Sequence, residues 1–321
     1  GSNMSFQESP DFSRGECQTG CSPILVYYFP WPNSHSMLYF DWSLPKGNIP
    51  EQMYEKELMK RSDYDIIIEK GFAPFIRRPE LEKDFMNYVA QFASLKIVNW
   101  LRKMDVPSIF VGAIEPPVDI ISFLRSINKF LIDVVEIPEK VVEACEATVN
   151  EMLSTLDVQI QFLGSVKGPK AVLFGFSRIA TNLISPKKFK LFWPHIKKIT
   201  EAIINKGCIV QFHLDNDYTD VLEYFKEFPK GKTWFHLDLT DIFKAKEILG
   251  DKVCLMGNIP PQITGLGTPK EVEDYCRKQI EGCMDGGGYM LCSSCVLPDD
   301  IPAANLRAMK ESVMKYGFYR A

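Results

Sequence analysis

Short apolar segments alternate with longer amphipathic stretches from about residue 107 to the C-terminus, and this alternation constrains the fold more than any other feature. Each apolar segment is hydrophobic nearly throughout, which is typical of parallel strands that are buried on both faces. Consecutive strand–helix units with short connections predict a parallel α/β sheet. The predicted strands cover residues 108–113, 171–176, 208–213, 233–237, 252–257 and 288–293.

The segments between these strands carry the signals that begin and end helices. Apolar residues at helical spacing predict a helix over 135–160. Ser185 and Pro186 are a cap followed by proline at the first helical position, and Gly207 is a stop signal, so a helix is predicted over 185–207. The same pattern predicts helices over 240–250, 268–287 and 302–317.

An open doubly wound sheet and a closed (β/α)8 barrel both fit this pattern. Two features favour the barrel: no GxGxxG motif follows the first strand, and the strand–helix units continue without a break. The N-terminal third is less regular, with a further strand candidate at 24–28 and predicted helices over 53–72 and 80–103. We therefore predict a single domain, 1–321, that is a (β/α)8 TIM barrel with residues 1–106 as an irregular N-terminal elaboration.

Composition excludes several classes of protein. The 37 basic and 41 acidic residues form no basic stripe, so nucleic acid is not an expected partner. No run of 18 apolar residues is present, so a membrane span is not expected. The first residues lack the apolar core of a secretory signal, and the 9 cysteines are irregularly spaced. We expect a cytoplasmic protein with reduced thiols.

Residues with metal-binding chemistry stand where predicted strands end, which is where barrels carry their reactive groups. His213 and Asp215 end one strand, His236 ends the next, and Cys295 follows the last. Side chains two residues apart on a strand point to the same side. Imidazole, carboxylate and thiolate together suit zinc, and three protein ligands leave a fourth position open for catalysis.

The same residues also have a structural interpretation. Taken singly, a strand histidine is often bonded to a backbone carbonyl, and a cysteine is often a small apolar filler. Their grouping at matching strand ends favours a functional site over a structural role.

Other residues near the strand ends are weaker candidates. Arg178 is a candidate anion-binding residue at the end of the strand over 171–176. Asn258 contacts a ligand or holds a turn, and Asp41, within an aromatic cluster, belongs to a substrate lid or a packing plug. Arg125 is expected on the solvated surface.

Several segments of the C-terminal half resemble the uroporphyrinogen decarboxylase superfamily. These segments are residues 222–232, 240–250, 254–261, 267–272, 286–291 and 302–309. A weaker match over 185–207 and upstream extends the resemblance to about two-thirds of the chain. The resemblance implies a (β/α)8 barrel, in agreement with the pattern of strands and helices.

The superfamily contains two chemistries, and the motifs of this chain resemble one of them. Decarboxylases carry an arginine-rich N-terminal motif and a Gly-His-Gly turn after the last strand. This chain reads Cys292-Ser293-Ser294-Cys295 at that turn and has no Arg-Gln-Ala-Gly-Arg segment. The corrinoid-dependent methyltransferases bind zinc through a His-x-Cys pair and a distant cysteine, which His213-x-Asp215 and Cys295 resemble.

The acidic residue in the pair is similar to that of methyltransferases from ether-demethylating systems. The resemblance implies His213, Asp215 and Cys295 as zinc ligands, with His236 as an alternative ligand or a residue behind the ligands. Replacing a thiolate by a carboxylate makes the metal harder and better matched to an ether or alcohol oxygen.

The leading hypothesis is a zinc-dependent methyltransferase that moves a methyl group from an oxygen-linked donor to a corrinoid (cobalamin) on a partner protein. Glu115, after the strand over 108–113, is its candidate proton donor or substrate-orienting group, and His236 its second candidate catalytic residue. The expected partners are a corrinoid protein and a small methyl donor, with neither nucleic acid nor membrane. The alternatives are a porphyrinogen-type decarboxylase and a non-catalytic barrel that binds a small molecule.

Overall fold

A computed structural model describes residues 57–72, 110–163, 169–295, 297 and 301–318. Within these residues one parallel sheet of six strands carries the fold. The strands are β1 (Phe110–Ile114), β2 (Ala171–Phe176), β3 (Ile209–Leu214), β4 (Thr233–Leu237), β5 (Cys254–Gly257) and β6 (Tyr289–Met290).

The order of the strands distinguishes between the two predicted architectures. A doubly wound sheet reverses its direction at a switch point, so some of its neighbouring strands are not consecutive in the chain. Here the order is β1-β2-β3-β4-β5-β6, so every connection moves to the next position in the same direction. That order is the one found in a (β/α)8 barrel. The predicted parallel α/β fold is confirmed.

The strand limits follow the sequence prediction except at the last strand. β2 and β4 have the predicted limits, whereas the strand predicted over 288–293 is reduced to two residues. Gly286, Gly287 and Gly288 all have positive φ angles, which an extended strand does not adopt, so β6 begins only at Tyr289. Beyond β6, Ser293 makes an isolated parallel bridge to Ile259.

The helices between the strands are close to those predicted, with two additions before the longest one. Residues Pro117–Arg125 and Ile127–Glu136 form helices that the sequence analysis did not identify, and a 3-10 helix over Thr219–Glu227 follows β3. The α-helices are α1 (Tyr64–Lys70), α2 (Pro117–Arg125), α3 (Ile127–Glu136), α4 (Pro138–Leu163), α5 (Pro186–Asn205), α6 (Ile242–Leu249), α7 (Pro261–Leu266), α8 (Pro269–Cys283) and α9 (Ala303–Tyr316). None of these described helices is both long and apolar enough to cross a membrane.

Caps at the predicted positions begin two of these helices. The Ser185 hydroxyl accepts a hydrogen bond from the Lys188 backbone N–H at the start of α5. Thr268 and Glu271 form a reciprocal capping box at the start of α8. These local hydrogen bonds explain why the sequence signals located both helices correctly.

Strand alternation separates an apolar face from a polar one. Phe212 on β3 is fully buried and packs against Phe225 and Phe228, which lie within and just after the 3-10 helix. His213, the next residue, therefore points to the opposite side of the sheet. It is aligned with Gly175 of β2 and His236 of β4. The fold thus brings the polar side chains of His213 and His236 together on one side of the sheet, with Gly175 beside them.

The expectation that Arg125 is solvated was wrong. Its side chain is buried at the end of α2 and donates from Nε to Asp133 Oδ2 at 2.7 Å and from Nη1 to Glu57 Oε1 at 2.6 Å. Asp133 also accepts from Arg61 Nε at 2.7 Å and from the Tyr64 hydroxyl at 3.1 Å. This network ties the segment that precedes α1 to α2 and α3.

Several predicted N-terminal features lie outside the described residues. These are the strand over 24–28, the helix over 80–103 and Asp41. Of the helix predicted over 53–72, the structure has a 3-10 turn, Arg61–Asp63, and α1. The prediction of a single domain stays a prediction.

Replacement of Asp133 by alanine is expected to destabilise the protein strongly, because it leaves the buried Arg125 guanidinium without its main counter-charge. Breaking a buried ion pair in this way costs about 3–5 kcal/mol. Urea denaturation measures the free energy of unfolding. Glu136→Ala is the control, since Glu136 pairs with Arg61 at an exposed position where the loss is about 0–1 kcal/mol. Equal effects of the two substitutions would contradict a structural role for the network.

Candidate metal centre

Three potential ligands converge at the end of β3 and in the loop after β6: His213, Asp215 and Cys295. His213 Nε2 lies 3.1 Å from Asp215 Oδ1, and Cys295 Sγ lies 3.5 Å from that oxygen and 3.9 Å from the same nitrogen. Around a tetrahedral zinc ion with ordinary bond lengths, ligand atoms are separated by about 3.3–3.6 Å. The donor atoms and their spacing therefore fit zinc without large rearrangement.

The backbone places these ligands by two different routes. His213 and Asp215 are two residues apart at the end of β3, so strand alternation sends both side chains the same way. Cys295 arrives through the loop after β6, which is pinned to the loop after β5. Ile259 donates its N–H to Cys292 O at 3.0 Å, and Ser294 donates to Ile259 O at 2.9 Å.

His236 determines which nitrogen of His213 faces the cluster. Nε2 of His236 lies 2.8 Å from the Ser293 carbonyl oxygen, so that nitrogen carries a proton and donates it. Burial, followed by the nearby His213, lowers the pKa of His236 to about 3, so the ring is neutral and its Nδ1 is an acceptor. Nδ1 of His213 lies 2.8 Å from that acceptor and donates to it. The Nε2 atom of His213 is therefore the one available to a metal.

Without a metal, His213 is held in its charged form. Burial lowers its pKa, but the charges and hydrogen bonds of Asp215 and Cys295 outweigh burial and raise the pKa well above its ordinary value. A metal ion at this position would replace the proton of His213.

Glu115 and Asp119 form a second polar group next to the three ligands. Burial, then the charges of Asp119 and Asp215, raise the pKa of Glu115 to about 8, against the opposing effect of Arg178 and His213. Glu115 follows β1 and leans over Gly175, where an added methyl group would lie 3.7 Å from its Cγ atom. The carboxyl group of Glu115 therefore holds a proton at neutral pH.

Arg178 is buried beside these carboxyl groups, with its guanidinium carbon 4.6 Å from the centre of the Phe123 ring. Burial raises the pKa of Asp119 to about 7, although the backbone N–H groups of Ser177 and Arg178 donate to it and lower it in part. The predicted anion-binding role of Arg178 stays a prediction.

Asn258 supports the loops at this end of the sheet. Its amide nitrogen donates to Asp238 O at 2.7 Å and to Thr240 O at 2.9 Å, and its Oδ1 accepts from Gln279 Nε2 at 2.9 Å. These bonds correspond to the turn-holding alternative of the sequence analysis. Its substrate-binding role stays a prediction.

Two residues at the site were missed by sequence reasoning, namely Ser177 and Asp119. The Ser177 hydroxyl donates to Asp215 Oδ2 at 3.1 Å, and Asp119 Oδ2 accepts the backbone N–H of Ser177 at 2.5 Å. The sequence signal was the position of Ser177 directly after β2, where it stands beside Arg178. Nothing in the local pattern distinguishes Asp119 from an ordinary acidic residue in the first turn of a helix.

Comparison with known proteins identifies the family. The family model described as uroporphyrinogen decarboxylase (URO-D) matches residues 75–316. The chain belongs to the uroporphyrinogen decarboxylase family. The resemblance found in the sequence is therefore confirmed, and with it the (β/α)8 barrel fold.

Among solved structures, the chain is similar in fold to the methyltransferase from Methanosarcina mazei, with a TM-score of 0.63. The two sequences are 17% identical, and the match covers 88% of this chain and 77% of that chain. At this identity the likeness shows the shared fold. No curated protein matches the sequence.

Replacement of Glu115 by glutamine is expected to raise the free energy of unfolding of the metal-free protein above that of wild type, and by more at pH 8 than at pH 5. The pKa of Glu115 rises on folding from its ordinary 4.5 to about 8, so the folded state binds the proton more tightly. Stability from this group is present at low pH and is lost as pH rises through about 8, whereas glutamine has no proton to lose. Thermal unfolding at several pH values measures the difference.

Glu143→Gln, on the exposed face of α4, is the control and is expected to leave the pH dependence unchanged. A difference in stability between wild type and Glu115→Gln that stays constant across this pH range would show that folding does not raise the pKa of Glu115.

Proposed function

We propose that this protein is a zinc-dependent methyltransferase that transfers a methyl group from an oxygen-linked donor to a corrinoid carried by another protein. The observation that carries the proposal is the convergence of His213, Asp215 and Cys295, with the Nε2 atom of His213 facing the other two groups. Membership of the family and the methyltransferase among structures of similar fold support it.

The ligand set favours oxygen chemistry. Bound zinc supplies Lewis acidity toward an ether or alcohol oxygen, and the corrinoid supplies the nucleophile for the methyl group. A histidine, a carboxylate and a thiolate would leave one position open for the donor oxygen. The tasks of the chain are then to hold that oxygen in place and to supply a proton to it.

We assign the role of proton donor to Glu115. When the methyl group leaves, the bonding electron pair stays on the donor oxygen, which must take up a proton to become an alcohol. In the metal-free protein the carboxyl group of Glu115 has a pKa of about 8 and is protonated at neutral pH, so it is the group at the site that we assign to give this proton up. Arg178, held against Phe123, is assigned to positioning the carboxyl groups and the substrate.

The small number of basic residues at the site disfavours the decarboxylase alternative. Glu115, Asp119 and Asp215 lie around one buried arginine, Arg178, among the described residues of this group. A porphyrinogen with many carboxylates requires an excess of basic residues, whereas a small uncharged ether does not. Formation of coproporphyrin from uroporphyrinogen is the assay that discriminates between these two chemistries.

The partner, the methyl donor and a cytoplasmic location belong to this proposal. A non-catalytic binding barrel remains the third interpretation of the sequence. It predicts no bound metal and tolerance of substitutions at His213, so the same experiments address it.

Purified protein is expected to contain about one zinc ion per chain, and His213→Ala and Cys295→Ala are expected to lose it, because each removes one of three ligands. Elemental analysis after anaerobic purification measures the metal. Both variants are also expected to lose transfer of methyl groups from methyl ethers to a reduced corrinoid. Cys254→Ala is the control, since Cys254 lies on β5 outside the cluster. Retained zinc with full activity in Cys295→Ala would refute the ligand assignment.

Replacement of His236 by phenylalanine is expected to weaken zinc binding by about 10- to 100-fold, the range for groups that orient a ligand. Phenylalanine cannot accept the His213 Nδ1 proton, so the ring of His213 is free to turn or to change its tautomer. Competition with a chelator measures the affinity. His236→Gln is the matched variant, because its amide retains an acceptor and a donor and is expected to bind more tightly than His236→Phe. Equal affinities of wild type and His236→Phe would contradict this positioning role.

A further inference from the structure

The two oxygens of Asp215 have different surroundings. Oδ1 faces His213 Nε2 at 3.1 Å and Cys295 Sγ at 3.5 Å. Oδ2 accepts a hydrogen bond from the Ser177 hydroxyl at 3.1 Å. A carboxylate can bind a metal through one oxygen or through both, and here one oxygen is already bonded to another part of the protein.

Strand pairing places Ser177 next to Asp215. β2 and β3 are parallel with Phe176 opposite Leu214, and the Asp215 N–H donates to Phe176 O at 2.9 Å. The residue after each strand is therefore held beside its counterpart. Ser177 reaches Asp215 although 38 positions separate them in the chain.

Asp119 fixes the turn that carries Ser177. It lies fully buried in the first turn of α2, and its Oδ2 accepts the backbone N–H of Ser177 at 2.5 Å and of Arg178 at 3.2 Å. Two hydrogen bonds to one carboxylate oxygen hold the start of the turn after β2 in one conformation. The hydroxyl of Ser177 is then directed toward Asp215.

We propose that Ser177, held by Asp119, is a positioning residue that makes Asp215 a metal ligand through Oδ1 alone. The inference rests on the proposed zinc centre and adds to it the group that controls its coordination number. With Oδ2 bonded to Ser177, the fourth position stays open for the methyl donor. Loss of that bond removes one restraint on Oδ2, so Oδ2 can approach the metal and compete with the donor oxygen.

The test compares Ser177→Ala with wild type in two measurements on the full chain. Competition with a chelator is expected to show zinc binding that is weaker by about 10- to 100-fold. The visible absorption of the protein loaded with Co2+ is expected to change from a four-coordinate to a more highly coordinated pattern. A merely structural role for Ser177 would leave the cobalt spectrum unchanged.

Two variants serve as controls. Ser177→Thr keeps the hydroxyl and is expected to retain the affinity and the spectrum. Ser294→Ala removes a buried hydroxyl, one residue from Cys295, that has no hydrogen-bond partner among the described residues, and it is expected to match wild type. A loss in Ser177→Ala with none in Ser294→Ala assigns the effect to the bond with Asp215.

The role of Asp119 is tested by replacing Asp119 alone and together with Ser177. Asp119→Ala is expected to weaken zinc binding, but to add little to the loss already caused by Ser177→Ala, because both act through one hydroxyl. Additive losses would overturn the role of Asp119. If Asp119→Ala does not fold, as judged by circular dichroism, Asp119→Asn replaces it, since asparagine retains an oxygen for the two N–H groups.

The outcomes separate this inference from the proposal on which it rests. If wild type binds neither zinc nor cobalt, the metal centre itself is wrong. If wild type binds both metals and Ser177→Ala has the same affinity and spectrum, the centre stands and the positioning role of Ser177 is overturned.

Discussion

The parallel pairing of β2, β3 and β4 sets the position of each group in the candidate centre. Gly175, His213 and His236 stand in register on one side of the sheet, where Gly175 leaves room for Glu115. Because parallel strands end at the same edge, the residue that follows each strand meets its neighbours there. A shift of β3 by one residue against its neighbours would turn His213 into the apolar layer occupied by Phe212.

Hydrogen bonds from residues behind His213 and Asp215 then set which atom of each ligand faces the cluster. His236, bonded to the Ser293 carbonyl, takes up Nδ1 of His213, so Nε2 of His213 is the nitrogen on the side of the cluster. Ser177 occupies one oxygen of Asp215 and leaves the other facing Cys295. His213 and Asp215 are thus each oriented by a partner on or just after an adjacent strand, so the shape of the site depends on the rigidity of the sheet.

Much of the fold follows from local signals in the sequence. The limits of β2 and β4, and the cap of α5 at Ser185, are as predicted because apolar runs and capping residues act over a few positions. α2 and α3 were missed because neither begins with a side-chain cap like that of Ser185. The burial of Arg125 was also missed, since its partners Asp133 and Glu57 are identified only when distant segments meet.

The sequence by itself determined the parallel α/β class, the common direction of His213 and Asp215, and the occurrence of Cys295 after a strand. All three follow from strand periodicity and from the rule that barrels carry reactive groups at strand ends. Only the tertiary structure decided which nitrogen and which oxygen face the cluster, and that His236, Ser177 and Asp119 stand behind them. The physical reason is that hydrogen bonds act over about 3 Å, between groups that lie 23, 38 and 58 positions apart in the chain. Such distances are fixed by the packing of the strands and not by any pattern along them.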